Sequence, residues 1–331
     1  MSRLRGWSVA AVAAAGTCGC NRIQSALAPA GDQARDIGTI WELMLWICGS
    51  TYLLVLVALA FAMLRGHGDG HRVAGERTIE RGLAGWVLLI AGLLTVLTAA
   101  SFAVDRRLHA TPENPLKIQV TAKQWWWQVD YLDPDPSRHL TTANELRLPR
   151  DRPAEIQLRS ADVIHSLWIP ALAGKEDLIP GRENRIVMTP RQTGDFRGQC
   201  AEFCGLQHAK MALDVQVLEP AAFAQWRNAQ LAPATSPVSA SARHGERVFV
   251  SAACALCHRI RGTSAGGVSG PELTHLASRR TLAAGTLKMD RGTLAAWLAD
   301  PQAHKPGVDM PAVPMSARDR EALVDYLMGL R

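Results

Sequence analysis

The chain has 331 residues, which is enough for more than one domain, and a formal net charge of +6. Its Lys and Arg residues form no long run, so the composition gives no support for a protein that binds nucleic acid. The seven cysteines occur as three close pairs and one single residue, a pattern typical of separate sites and not of a disulfide framework.

The amino-terminal residues predict export. Two arginines precede an apolar run at residues 7–15 that is too short to span a bilayer, so residues 1–19 are predicted to be a signal peptide. Cys20 follows Gly19 in the position of an acylated lipoprotein cysteine, and acylation of Cys20 is one interpretation of this junction. Residues 20–40 would then form a short periplasmic segment.

Two long apolar stretches come next, at residues 41–64 and 83–104. Each is long enough to cross a ~30 Å hydrocarbon layer as a helix. The connection at residues 65–82 carries four arginines, and cytoplasmic loops of membrane proteins are enriched in positive charge. We therefore predict a two-helix transmembrane hairpin with a cytoplasmic loop, so that the rest of the chain lies outside the cytoplasm.

Short segments that alternate apolar and polar residues extend from residue 113 to residue 220, with Pro, Asp and Gly between them. This period of two predicts an all-β sandwich or barrel. Three consecutive tryptophans lie near its start, Trp125, Trp126 and Trp127. Alternation along a strand would put Trp125 and Trp127 on one face, where aromatic rings pack in a core.

A concentration of soft metal donors lies at residues 198–211, with the sequence GQCAEFCGLQHAKM. Its thiols, imidazole and thioether are the donors that select copper, and they belong to Cys200, Cys204, His208 and Met211. A disulfide or a zinc site is the alternative. A disulfide needs neither the histidine nor the methionine, and zinc rarely uses a thioether. A second histidine must come from elsewhere, and His165 in VIHSLWIP is the best candidate.

Residues 230–242 are rich in Ala, Ser and Pro and carry no charge, which predicts a flexible linker. The domain after it, residues 243–331, contains the attachment signature of a c-type haem, with Cys254 and Cys257 for the thioether bonds and His258 as an axial ligand. A thioredoxin-like redox pair is the alternative for CALC, and the context disfavours it.

A sixth haem ligand is expected about fifty residues beyond the signature. Met310 lies there in a loop framed by Gly and Pro, and Met/His ligation raises the haem potential. Met289 and Met315 are the alternatives. The chain ends in a segment with apolar residues at helical spacing, so this domain is predicted to be all-α.

The donor motif resembles the dinuclear copper (CuA) centre of cytochrome c oxidase subunit II, whose loop reads Cys-x-Glu-x-Cys-x3-His-x2-Met and whose first histidine lies upstream in V-x-H-S-x-x-x-P. The resemblance implies that the thiolates of Cys200 and Cys204 bridge two coppers. His165 and His208 would be the terminal ligands, and Met211 and the backbone carbonyl of Glu202 would be the weak ones.

The resemblance covers nearly the whole chain and implies a haem-copper oxidase subunit of the caa type. The architecture would be a transmembrane hairpin, a cupredoxin-like Greek-key domain and a fused class I cytochrome c domain. Electrons would pass from a cytochrome c or an upstream complex to haem c, then to CuA and to haem a of subunit I. The whole enzyme, which also contains subunit III, would be a proton-translocating cytochrome c oxidase of the bacterial inner membrane that reduces oxygen to water.

Several single residues match positions with a role in that family. Trp125 would be the point at which electrons enter the copper centre, and the Glu202 carboxylate would help to hold magnesium at the contact with subunit I. Asp177 and Arg182 match a segment that faces the same contact, and Asp162 matches an acidic residue of the surface that docks cytochrome c.

Two acidic residues at the inner mouth of the second helix, Glu76 and Glu80, are candidates for a proton path, and a solvated surface charge is the alternative. Residues 113–220 carry 15 acids and 13 bases, a net charge of −2, whereas residues 243–331 carry 8 acids and 12 bases, a net charge of +4. These opposite signs favour encounter of the two domains, so a tethered haem domain is predicted to move to the copper domain.

Two functions from other classes stay open from the sequence. One is a CuA-containing electron-input subunit of a membrane nitric oxide reductase, which would share the copper motif. The other is a periplasmic copper carrier with a haem domain, which would bind copper without turnover.

Overall fold

The computed structural model describes residues 22–65 and 75–331. The predicted signal peptide at residues 1–19 and the predicted acylation at Cys20 lie outside the described residues.

The two apolar stretches lie in long helices, α1 (Asp32–Leu64) and α2 (Glu76–Leu108). Both are long and apolar enough to cross a membrane. Each has 33 residues and extends beyond the apolar stretch that predicted it, because the flanking polar residues continue the same helix. The predicted loop at residues 65–82 is therefore shorter in the structure, and Glu76 and Glu80 lie in the first two turns of α2.

Both helices are fastened to the β domain that follows. The Arg191 guanidinium donates to the Asp32 carboxylate at 2.9 Å, at the start of α1. Beside it, a Cβ on Gly31 would lie 2.6 Å from the Leu172 carbonyl oxygen, so only glycine allows this close approach. At the end of α2, Arg185 Nη2 donates to the His109 carbonyl at 3.0 Å. These contacts fix the orientation of the β domain relative to α1 and α2.

The β domain is a sandwich of two five-stranded sheets. Its strands are β1 (Leu116–Lys123), β2 (Trp126–Tyr131), β3 (Leu140–Ala143), β4 (Glu145–Pro149), β5 (Ala154–Ser160), β6 (His165–Trp168), β7 (Lys175–Leu178), β8 (Asn184–Met188), β9 (Gly194–Cys200) and β10 (Ala212–Leu218). The sheet orders are β3-β2-β1-β5-β8 and β4-β10-β9-β6-β7. Alternate residues of β1, such as Ile118, Val120 and Ala122, are fully buried between the sheets, which is the period of two seen in the sequence.

The carboxyl-terminal part of the chain is helical. Its elements are α3 (Pro220–Leu231), α4 (Ala240–Ser251), α5 (Cys254–Cys257), the hairpin β11 (Thr281–Leu282) and β12 (Leu287–Lys288), α6 (Arg291–Ala299), α7 (Pro301–His304) and α8 (Ala317–Met328). Helix α3 packs on the β domain, where the Trp226 ring contacts the Tyr131 ring edge to face, with 5.3 Å between the ring centroids. The helical domain begins at α4, which packs on α8 around the Phe249 and Tyr326 rings.

The segment between the domains is shorter than the predicted linker at residues 230–242. Residues up to Leu231 belong to α3, and Ser239 caps α4 by accepting a hydrogen bond from the Ala242 backbone N–H at 2.9 Å. Part of the remaining segment is also held, because Ala234 N donates to the Arg261 carbonyl at 3.0 Å.

The helical domain is packed against the β domain, whereas the sequence predicted a tethered domain that moves to it. Arg280 bridges the two by donating to Asp214 at 3.0 Å and pairing with Asp195. Next to it, Arg279 lies 3.8 Å from Glu145 in an ion pair whose members are both buried. Basic residues of the helical domain therefore meet acidic residues of the β domain, a pairing that the net charges alone did not specify.

Gly245 of α4 lies close to the backbone of α8. A Cβ on Gly245 would lie 2.0 Å from the Ala322 carbonyl oxygen, which belongs to the α8 backbone and cannot rotate away. Gly245→Ala is expected to lower the free energy of unfolding of this domain by more than the ~1–3 kcal/mol of ordinary overpacking. Thermal unfolding of the full chain measures this. Gly292→Ala in α6 is the control, since its nearest atom is 3.4 Å away, and equal melting of both variants would contradict the prediction.

Candidate metal centres

The sulfur-rich loop lies where β9 and β10 meet. Strand β9 ends at Cys200 and β10 begins at Ala212, so residues 201–211 form the loop between them. Strand β6 begins at His165, and its Leu167 pairs with Cys200 across the sheet. One edge of a rigid sheet therefore brings His165 next to the loop, although 35 residues separate it from Cys200.

The strong donors converge on one point. The sulfur atoms of Cys200 and Cys204 lie 3.7 Å apart, so both are free thiols. His165 Nδ1 lies 3.8 Å from Cys200 Sγ, and His208 Nδ1 lies 3.7 Å from Cys204 Sγ. Each sulfur thus has one imidazole beside it and faces the other sulfur. His165, Cys200 and Cys204 are also the one cluster of three such ligands found in residues 22–65 and 75–331.

The two weak donors of the sequence motif each lie beside a different sulfur of this pair. Met211 Sδ is 3.9 Å from Cys204 Sγ, and the Glu202 carbonyl oxygen is 3.1 Å from Cys200 Sγ. Both cysteines and the methionine are buried, which excludes water from the sulfur atoms.

The electrostatics of the thiols favour binding of a metal. The pKa of Cys200 is held well below its usual range, chiefly by its hydrogen bond with Cys204 and also by that with His165. The same contact with Cys200, together with burial, raises the pKa of Cys204. The Cys200 thiol therefore loses its proton readily, whereas the Cys204 thiol needs a bound cation to lose its own.

Asp162 lies beside His165, a contact that the sequence did not indicate. Its carboxylate lies 2.8 Å from His165 Nε2, and it accepts a hydrogen bond from the Gln124 backbone N–H at 2.7 Å. Burial acts to lower the pKa of His165, but the hydrogen bonds with Cys200 and Asp162 raise it above its usual value. This arrangement leaves Nδ1 of His165 free to face the sulfurs, in the way that a carboxylate commonly orients a metal-binding histidine.

The donor set fits a copper pair. The six donors are the two cysteine sulfurs and the four atoms beside them, and the set combines soft sulfur with imidazole, the combination that suits copper. A tetrahedral zinc ion would use four of them and leave the buried thioether and the carbonyl without a role. A disulfide is not formed between the two thiols.

Trp125 contacts the same loop. Its indole Nε1 donates to the Cys204 carbonyl at 2.9 Å, and Gln124 Nε2 donates to the same oxygen at 2.7 Å. Trp125 is buried in the core of the β domain, whereas Trp126 is half-buried and its ring is in contact with the Lys123 ammonium. Sequence reasoning missed Gln124, because no local signal marks a contact across 80 residues.

The predicted magnesium site has one carboxylate here. The side chains of Glu202 and Arg182 are exposed and that of Asp177 is half-buried. In the described part of the chain, no cluster of three potential ligands includes any of them.

The haem attachment signature forms a single helical turn, α5, with Cys254 half-buried and Cys257 exposed. His258 follows it, and its Nδ1 donates to the Pro271 carbonyl at 2.7 Å, so its Nε2 is left free for iron. Burial lowers the pKa of His258, which favours the neutral, ligating form. A Cβ on Gly270 would lie 2.7 Å from the His258 ring, so glycine there leaves room for the imidazole.

A cavity of about 340 Å³ lies next to this histidine and has mostly apolar walls. Cys254, Cys257, His258 and Met310 line it, as a covalently attached haem with Met/His ligation requires. Met289 and Met315 pack against the same core without lining the cavity. The β domain supplies one wall through Trp125 and Trp126, a contribution that the sequence did not indicate.

Known families match both domains. The family described as "Cytochrome C oxidase subunit II, periplasmic domain" matches residues 132–218, and the family described as "Cytochrome c" matches residues 242–331. Cytochrome c oxidase subunit 2 of Alkalihalophilus pseudofirmus is 33% identical over 321 residues, which cover 93% of this chain and 91% of that protein. Cytochrome c oxidase subunit 2 of Bacillus subtilis is 29% identical over 343 residues, which cover 95% of this chain and 94% of that protein.

A solved structure is also similar. The periplasmic domain of subunit II of cytochrome oxidase from Bradyrhizobium japonicum is 34% identical to the part of the chain that it matches, covers 37% of this chain and 96% of its own, and gives a TM-score of 0.34.

The match to the curated relatives runs along almost the whole chain and includes both metal motifs. Copper of the CuA type and haem c are therefore the groups that its two domains imply, and its partners are the other subunits of a haem-copper oxidase. This chain belongs to the cytochrome c oxidase subunit 2 family and carries a CuA domain followed by a cytochrome c domain.

Proposed function

We propose that this chain is the electron-input subunit of a proton-translocating cytochrome c oxidase. It takes electrons from a cytochrome c or an upstream complex into haem c, transfers them to CuA and delivers them to haem a of subunit I, where oxygen is reduced. The observation that supports this route is the position of Trp125, which lines the haem cavity and also donates to Cys204 of the copper loop.

The residues of this chain perform three tasks in the proposed route. Cys200, Cys204, His165 and His208 hold the copper pair, which supplies one-electron redox chemistry when bound. Their attachment to β6, β9 and β10 keeps the donor geometry nearly constant when the charge of the site changes. Burial of the sulfurs excludes water, so little solvent has to reorganise during transfer.

The finer roles implied by single residues belong to the same proposal. The Glu202 carboxylate, which is exposed beside the copper loop, would bind magnesium together with ligands from subunit I. Asp177 and Arg182 would face the same subunit, and Glu76 or Glu80 would serve a proton path on the cytoplasmic side. Asp162 would orient His165, in addition to any contact with a donor protein.

The test of the function is a measurement on the purified complex. Metal analysis of this chain after its separation from the complex should give two coppers and one haem c, and reduced cytochrome c should support oxygen consumption by the complex. Reduction of nitric oxide without oxygen consumption would assign the chain to the rival reductase. Copper that a chelator removes readily from the native complex would favour the carrier.

Removal of one bridging thiol tests the copper site. Cys200→Ser should abolish the absorption of the dinuclear copper centre and leave the haem c bands, since a serine hydroxyl is a poor ligand for copper. Visible and near-infrared spectra measure both groups in one sample. Cys48→Ser, on the exposed face of α1, is the control and should retain the copper absorption. Copper absorption that survives in Cys200→Ser would refute a bridging role for this thiol.

Replacement of the proposed sixth ligand tests the haem site. Met310→Leu should lower the midpoint potential of haem c, because the soft thioether stabilises ferrous iron. Met315→Leu is the control and should leave the potential unchanged, since Met315 does not line the cavity. A redox titration of the haem c band compares the two. The reverse outcome would make Met315 the ligand.

Removal of the indole N–H tests the proposed route of the electron. Trp125→Phe deletes the hydrogen bond to the Cys204 carbonyl and should slow transfer from haem c to copper without loss of copper. Flash-induced electron transfer measures the rate. Trp126→Phe is the control, because Trp126 lines the same cavity and contacts Lys123. If electron transfer from haem c to copper were as fast in both variants as in the unchanged protein, Trp125 would be only a packing residue.

A further inference from the structure

Lys305 is a buried lysine at the interface of the two metal-binding domains. Only 2% of it is exposed, and its Nζ donates to the backbone carbonyls of Trp125 at 2.9 Å and Ala283 at 3.4 Å. No carboxylate in residues 22–65 and 75–331 forms an ion pair with it. A lysine is almost never buried without a charged partner, because the loss of hydration is costly. A specific role would account for that cost.

The position of Lys305 suggests the role. It ends the short helix α7, five residues before Met310, and it lines the haem cavity. Its partner, the Trp125 carbonyl, belongs to the residue whose indole donates to Cys204. Two hydrogen bonds, joined through the covalent bonds of Trp125, therefore connect the segment that precedes the proposed haem ligand to the copper loop.

Two further hydrogen bonds join the residues next to Lys305 to the copper loop. Gln207 Nε2 donates to the Pro306 carbonyl at 2.6 Å, and Lys210 Nζ donates to the His304 carbonyl at 2.6 Å. The residues on both sides of Lys305 are thus fixed against the β domain, so its ammonium group is held in place and cannot turn to solvent.

We infer that Lys305 is a positioning residue for electron transfer between the two centres of this chain. Its hydrogen bond fixes the haem domain against Trp125, and its buried positive charge stabilises the reduced forms of both centres. One electron leaves the haem iron, which is oxidised by one unit, and reduces the copper pair by one unit. No bond forms or breaks, and Lys305 keeps its proton.

The protonation state agrees with this role. Burial lowers the pKa of Lys305 to about 8, and the charge of nearby Lys210 adds to the lowering, while Cys204 acts in the opposite direction. Since a lysine is charged below its pKa, most Lys305 side chains carry the positive charge at pH 7.

The experiment compares lysine variants of the complete oxidase complex. Lys305→Met keeps the length of the side chain and removes the charge and the N–H donors. It should lower the ratio of reduced to oxidised haem c at a fixed ambient potential by up to about tenfold, which is about 59 mV for a one-electron couple. The copper potential should shift in the same direction. Loss of the fixed geometry should slow transfer from haem c to copper by roughly tenfold or more.

A matched control separates Lys305 from other interface lysines. Lys123 also donates across the interface, to the Val268 carbonyl at 3.3 Å, but it is half-buried and its side chain stacks on Trp126. Lys123→Met removes the same charge and should leave both potentials close to those of the unchanged protein, because solvent that reaches the half-buried Lys123 screens its charge more than that of the buried Lys305.

Each outcome decides the inference. Unchanged potentials and an unchanged rate in Lys305→Met, with intact haem and copper spectra, would overturn it, and so would equal shifts in Lys123→Met. If Lys305→Met does not assemble, Lys305→Gln takes its place, since it is also neutral but keeps two N–H donors. It should lower both potentials, and unchanged potentials would again overturn the inference. The inference rests on the proposed function, but different results contradict each. Absence of a haem c band would refute the haem site and with it the proposed function, whereas unchanged potentials with intact spectra would refute only the role of Lys305.

Discussion

The hydrogen bond between the Trp125 indole and the Cys204 carbonyl is the contact on which the arrangement of this chain depends. On one side of the indole lies a loop with two thiols, and on the other side lies the cavity bordered by Cys254, Cys257 and His258. A tryptophan is suited to this place because its ring packs against both domains and its single N–H is satisfied. The two centres therefore share one aromatic residue as a common wall, and the folds on either side serve to hold that geometry.

The local motifs could be predicted from the sequence because their chemistry is local. Cys200, Cys204, His208 and Met211 lie within one loop, and the CALCH signature lies within one helical turn and the next residue. The fold class followed from the period of two in strands such as β1 and from the two apolar stretches. The family assignment confirms the resemblance on which the domain architecture was predicted.

The interface of the two domains could not be predicted in the same way. The ion pair of Arg279 with Glu145 and the bond of Lys305 with the Trp125 carbonyl each join residues more than a hundred positions apart. No periodicity or spacing encodes such pairs, and the net charges gave only the sign of the attraction. The alanine-, serine- and proline-rich segment indicated a flexible linker, but its composition carries no information on whether the domains at its ends adhere. The predicted bounds of the helices differed for a related reason, since polar residues outside the membrane can extend a helix that apolar residues define.

The contacts of residues 304–307 with the copper loop also limit how copper can reach its ligands. Gln207 and Lys210 are both engaged by this segment, so that flank of the loop is closed while the haem domain is seated. The opposite flank is open, with Phe203 76% exposed beside the exposed Glu202. While the haem domain is seated, a metal ion or its carrier therefore reaches the ligands of the folded chain from the side of Phe203 and Glu202.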